Sequence, residues 1–165
     1  MNMISSTRFN IMWNGTPLST IIPSRGIRQG DPIFPYLFIL CSERLSILLE
    51  EAVWDKTIHP VTFKGQIKIS HLFFADDIFL FSKAKIMECQ NLKNILQIFC
   101  KCSGQIISKQ KSCLWFSPNT SRQTKELIAG IFDIPIAARL GTYLGTPIFT
   151  THRKAYAYQH IVDNI

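Results

Sequence analysis

Two neighbouring aspartates, Asp76 and Asp77, stand inside the apolar run Ile69-Ser70-His71-Leu72-Phe73-Phe74-Ala75-Asp76-Asp77-Ile78-Phe79-Leu80-Phe81. Large apolar residues on both sides predict two buried strands. Aspartate is unfavourable within a strand and favourable in a turn, so the pair is expected at the tip of a tight hairpin. Adjacent carboxylates repel each other and lose solvation when partly buried. A divalent cation offsets both penalties. A hard ion such as Mg²⁺ takes carboxylate oxygens and keeps positions open for phosphates. The same two residues also fit a solvated turn that holds nothing.

A second segment carries the complementary charge. Arg25-Gly26-Ile27-Arg28-Gln29-Gly30 is a basic loop with two glycines, and Asp31-Pro32 and a long apolar run follow it. Aspartate is a favoured N-cap and proline a favoured first helical residue, so a helix is expected from Pro32 to about Trp54. Pro35 falls in its first turn, where a missing N–H costs little. A glycine-flanked basic loop feeding a helix N-terminus suits phosphate binding. An ordinary loop and helix cap is the competing reading.

These motifs resemble those of reverse transcriptases from non-LTR (LINE-type) retrotransposons, especially plant ones. Arg25 to Pro32 with Pro35-Tyr36-Leu37-Phe38 is similar to their nucleotide-site motif, and Phe74-Ala75-Asp76-Asp77 to their catalytic aspartate pair. Three further segments follow in family order: Ile4-Ser5-Ser6 with Asn14-Gly15, Cys102-Ser103-Gly104-Gln105 through Lys109-Gln110-Lys111-Ser112, and Tyr143-Leu144-Gly145-Thr146-Pro147-Ile148. The resemblance implies RNA-directed DNA synthesis in which Asp76 and Asp77 hold Mg²⁺ or Mn²⁺. It implies that Gln29 and Gly30 line the nucleotide and template site, that Arg25 and Arg28 face phosphates there, and that Lys109 or Lys111 touches the primer backbone. RNA template, DNA primer and deoxynucleotides are the implied partners.

The departures are equally specific. In this family a first catalytic aspartate lies upstream of the Arg-Gln-Gly loop, whereas residues 1–30 contain no acid. Ile33-Phe34 stands where Leu-Ser is usual, and Ser108 where Asn is usual. The implied fold is α+β: an incomplete reverse-transcriptase palm, a small antiparallel sheet backed by helices, leading into a thumb-connecting segment. Residues 1–116 are expected to form the partial palm and 117–165 the connection. The fingers and the first aspartate strand are expected to be missing, leaving an exposed sheet edge beside the Asp-Asp hairpin. The expected function is that of a retrotransposon polymerase fragment, inactive alone. The alternatives are a non-catalytic nucleic-acid-binding remnant and a polymerase completed in trans by an upstream palm and fingers polypeptide. An unrelated phosphohydrolase would need further acids or histidines near the pair, and His71 is the one obvious candidate.

Charge and composition fit a polyanion partner. The net charge is +7 in 165 residues, with a pI near 9.3. The segment 81–125 carries eight basic residues against Glu88, while 31–80 has an excess of acids. Basic flanks around an acidic centre suit backbone contacts on either side of a metal site. Scattered lysines that merely solvate the surface are the bland alternative. Five cysteines, with no Cys-x-x-Cys pair, predict free thiols rather than zinc. No apolar run reaches the length needed to cross a membrane. An intracellular location is expected, in nucleus or cytoplasm, with an organelle also compatible.

Further elements follow from periodicity. Arg8 to Trp13 and Leu18 to Ile22 should pair around Asn14-Gly15. Val61 to Lys64 and Gln66 to Ile69 should pair about Gly65. Residues 85–102 are expected to be helical, with Leu92, Ile95, Leu96 and Phe99 at helical spacing and Gly104 as the stop. Ser112 to Phe116 is expected as a strand, then a helix capped by Thr120 or Ser121 through Ile131. Tyr143 to Phe149 is expected as an interrupted strand.

Overall fold

The computed structural model describes residues 8–23, 30–63, 65–139, 141–143 and 146–148. Among them are three helices and eight short strands, an α+β content as expected. The chain divides into two compact units: Met1–Ser82 with Asn91–Ile106, and Lys83–Gln90 with Ile107–Ile165.

The first helix, α1 (Phe34–Trp54), starts two residues later than its sequence suggests. Its N-cap is Ile33, and the first intrahelical bond runs from Leu37 N to Ile33 O at 3.1 Å. The shift has a physical cause. A start at Pro32 would put Pro35 fifth from the cap, where the first intrahelical N–H is needed. With Phe34 first, Pro35 needs no donor. Asp31 still serves the helix entrance: its Oδ1 accepts from Ile33 N at 2.9 Å. Leu45, Leu49 and Ala52 form the buried stripe of α1, and Ile58 joins the core of this unit. Each of the two leucines and Ile58 contributes about 1.5–3 kcal/mol on burial.

Four separate two-stranded antiparallel sheets replace the single small sheet expected. β1 (Met12–Trp13) and β2 (Thr16–Pro17) pair around Asn14 and Gly15, whose φ values of 48° and 79° suit a two-residue turn. The Phe9↔Ile21 bridge extends that ladder with one extra residue on the second strand, a bulge. β3 (Val61–Phe63) pairs with β4 (Ile67–Ile69), and β5 (His71–Phe74) with β6 (Asp77–Leu80). β7 (Thr142–Tyr143) and β8 (Thr146–Pro147) replace the single interrupted strand expected there.

The Asp-Asp hairpin is less buried than its composition suggests. Partner positions Phe74↔Asp77 and Leu72↔Phe79 share one face, and Phe73↔Ile78 and His71↔Leu80 the other. Leu72 and Phe74 therefore lie on the opposite face from Ile78 and Leu80. Leu72 and Phe74 are 46% and 54% exposed. His71 and Phe73 are half-buried, on the side facing α1.

α2 (Ile86–Ser103) matches expectation and runs through both units. Leu92 and Phe99 are buried, Ile95 and Leu96 half-buried, and Gly104 follows with a φ of 73°. In the second unit α3 (Arg122–Phe132) is capped by Ser121, whose hydroxyl accepts from Thr124 N at 3.2 Å. The strand expected at Ser112 to Phe116 is only a bridge, Leu114↔Ile136, because no partner continues it. None of the five cysteines is in a disulfide.

Candidate functional site

The turn of the Asp-Asp hairpin is Ala75-Asp76, not Asp76-Asp77. Phe74 pairs with Asp77, so Asp77 opens β6 and only Asp76 lies in the two-residue loop. Ala75 takes a φ of 49°, a conformation that costs a side chain with a Cβ. Both aspartates are exposed. Asp76 projects from the turn and Asp77 sits on the face shared with Leu72, Phe74 and Phe79, so the carboxylates occupy different settings on one tip.

The hairpin lies along α1. His71 Nε2 is 2.8 Å from Ser46 Oγ, and its Nδ1 is 2.9 Å from Ser70 Oγ. The ring sits 4.7 Å from that of Phe73. A crevice of about 220 Å³ separates Phe38, Ile39, Ser42, Glu43 and Ser46 on α1 from Phe73 and Ala75 on the hairpin. The tip thus lies against the N-terminal half of α1, the half into which Gly30 and Asp31 lead. Burial pushes the His71 pKa below its ordinary value, and Glu50 partly opposes the shift.

Of the sequence-predicted nucleotide-site residues, Arg25, Arg28 and Gln29 lie outside the described residues. Gly30 has a φ of 83°, so its lack of a Cβ is used by the backbone there. Lys109 is ion-paired with Asp133 Oδ2 at 2.6 Å, both groups largely exposed. Lys111 lies in a turn closed by its N–H on Ser108 O at 3.1 Å. These lysines belong to the second unit, and the aspartate pair to the first.

The larger concavity, about 360 Å³, lies at the other end of α1 between Glu50, Glu51, Trp54 and Asp55. Three carboxylates repel phosphates, so that hollow is unsuited to a nucleotide. Among the described residues no group of three or more His, Cys, Asp or Glu could hold a metal ion. The tip offers two exposed carboxylates on neighbouring residues, one in the turn and one opening β6. Sequence reasoning missed Ser46 and Ser70 and singled out His71 only as a candidate residue of an unrelated phosphohydrolase. The signal available was a serine on each side of an otherwise apolar pattern.

The sequence profile of the reverse transcriptase (RNA-dependent DNA polymerase) family matches residues 2–148. The chain belongs to the reverse transcriptase family. An uncharacterised mitochondrial protein of Arabidopsis thaliana is 48% identical to this reverse transcriptase chain over 65 residues, 39% of the chain and 53% of that protein. A Drosophila melanogaster retrovirus-related Pol polyprotein, from a type-2 retrotransposable element, is 32% identical over 73 residues, 44% of the chain. The chain spans about half the length of the first relative and 6% of the second. The Drosophila match agrees with the retrotransposon resemblance of the motifs. No helix among the described residues of this reverse transcriptase chain is long and apolar enough to cross a membrane.

Proposed function

We propose that this chain is part of a retrotransposon RNA-directed DNA polymerase and is catalytically silent by itself. The observation that carries the reading is the hairpin tip: Asp76 in a two-residue turn and Asp77 beside it, set against the half of α1 that the Arg-Gln-Gly loop enters. Asp76 is the main cation ligand in this reading, and Asp77 supports it or lies near the primer end. A bound divalent ion would stabilise the attacking and leaving oxygens of an in-line displacement at a nucleotide's α-phosphate. Arg25 and Arg28 orient phosphates through bidentate guanidinium contacts, Gln29 and Gly30 line the nucleotide and template, and Lys109 and Lys111 hold the primer backbone. RNA template, DNA primer and deoxynucleotides are the partners.

Donor number supports silence. A two-metal clamp about 4 Å across needs carboxylates on both sides. The described residues hold no group of three or more His, Cys, Asp or Glu that could take a metal ion. On this reading residues 1–116 form part of a palm, and 117–165 lead toward a thumb. An intracellular setting goes with it, and the name of the Arabidopsis relative favours an organelle among the choices. The test is template–primer extension with Mg²⁺ and Mn²⁺. No incorporation is expected from residues 1–165 alone. Incorporation that disappears in Asp76→Ala would refute silence.

A second reading, completion in trans by an upstream palm and fingers polypeptide, is favoured by one feature. β5 and β6 form a sheet of two strands, so a further strand has an edge to join. Extension activity on mixing the two polypeptides is its test.

A further inference from the structure

We propose that His71 is a positioning residue: bridged to Ser46 on α1 and to Ser70 beside it, it sets how the Asp76 tip is seated along α1. The proposal rests on reading Asp76 and Asp77 as functional carboxylates.

The imidazole stands at the open end of the hairpin, where Phe81 N donates to Ser70 O at 2.8 Å. From there β5 runs to the tip at about 3.3 Å per residue, so a tilt at His71 is carried about 15 Å to Asp76. The fixed end of this lever is firm. Ser46 adjoins Leu45 and lies three residues before Leu49, the two most deeply buried side chains of α1. The space between α1 and the hairpin is the open crevice of about 220 Å³. Packing there leaves room for the tip to rock, so the Ser46 hydrogen bond governs the angle.

Both serine hydroxyls can donate or accept, so a neutral imidazole is satisfied in either tautomer. One ring nitrogen donates to one serine, and the other accepts from the second. Protonation makes both nitrogens donors and abolishes the O–H···N bond. Glu50 and Glu43 are the carboxylates that α1 brings to this side, and β6 brings only Ile78 and Leu80 to the His71 face.

Hydrogen-exchange mass spectrometry on the full chain decides the matter, with manganese binding followed by water-proton relaxation. Ser46→Ala keeps a good helix former and removes the anchor. His71→Phe keeps a ring against Phe73 but loses both hydrogen bonds. His71→Gln keeps a donor and an acceptor. In Ser46→Ala and His71→Phe, amides 73–79 should exchange about threefold to tenfold faster, the loss of one hydrogen bond. Amides 45–52 should be unchanged, and His71→Gln should behave as the unmodified chain. Wild-type exchange in Ser46→Ala, or in His71→Phe, would overturn the proposal. Manganese affinity should weaken in parallel with tip exchange. An affinity indifferent to tip exchange would also overturn it. A chain that binds no manganese would instead sink the reading of Asp76 and Asp77, and the exchange measurement, which needs no ion, separates the two failures.

Discussion

Ala75→Gly should stabilise this chain and weaken cation binding at the neighbouring carboxylate. Ala75 has a φ of 49°, where a Cβ crowds the following carbonyl at a cost of about 1–2 kcal/mol. Glycine removes that cost but adds about 0.5–1 kcal/mol of conformational entropy to the unfolded chain. The difference is a net gain of about 0.5–1 kcal/mol. For a chain of this size that raises the melting temperature by about 1–4 °C. The strained alanine also restricts the turn that presents Asp76. Releasing it should weaken Mn²⁺ binding about twofold to fivefold, the same entropy expressed as affinity. Thermal unfolding by circular dichroism and a manganese titration read the two effects. Gly30→Ala is the control in the opposite sense: with a φ of 83° and open space about the new Cβ, it should cost about 1 kcal/mol through backbone strain alone. A lower melting temperature for Ala75→Gly would refute the strain argument. Unchanged or tighter manganese binding would refute the link between turn and carboxylate.

Leu49→Ala empties a fully buried position on α1 and should destabilise the chain by about 2–5 kcal/mol in denaturant unfolding. Lys109→Ala should cost at most about 1 kcal/mol of stability, since its pair with Asp133 is exposed, yet should weaken nucleic-acid binding in a filter assay. That binding should be independent of sequence and should weaken about tenfold to a thousandfold between 50 and 200 mM salt, and binding indifferent to salt would count against the basic flanks. His71 has a lowered pKa, so below its ordinary 6.5 the unfolded chain takes up the proton more readily; stability should fall as pH drops below 6.5, and His71→Gln should remove that slope. Light scattering should show residues 1–165 associating, because Leu72, Phe74, Trp13 and Ile22 are all exposed, and a monodisperse monomer would contradict this.

Much of the local structure was legible in the sequence because it rests on local rules. Asn14-Gly15 dictates its turn, Gly104 ends α2, and Ser121 caps α3, each through a backbone requirement met within a few residues. The start of α1 was misplaced because two favourable signals conflicted: Asp31-Pro32 invites an early start, and Pro35 forbids it. Burial of the Asp-Asp hairpin was overread because Phe and Leu show hydrophobicity without showing what covers them. The pair itself was visible as chemistry. Its division between turn and strand was not, since that depends on a pairing register in which Ala75 accepts a positive φ. The Ser46–His71 bridge spans 25 positions and leaves no periodic trace.

Among the described residues strands pair only with their neighbours along the chain, which bears on how the molecule folds. Val61 meets Ile69 and His71 meets Leu80, so closing each hairpin sacrifices little chain entropy. Such hairpins form in about 1–10 μs, independently of one another. No sheet waits for a distant segment to arrive, so each can close while the ribosome is still adding residues. Assembly then includes docking the preformed Asp-Asp hairpin onto α1.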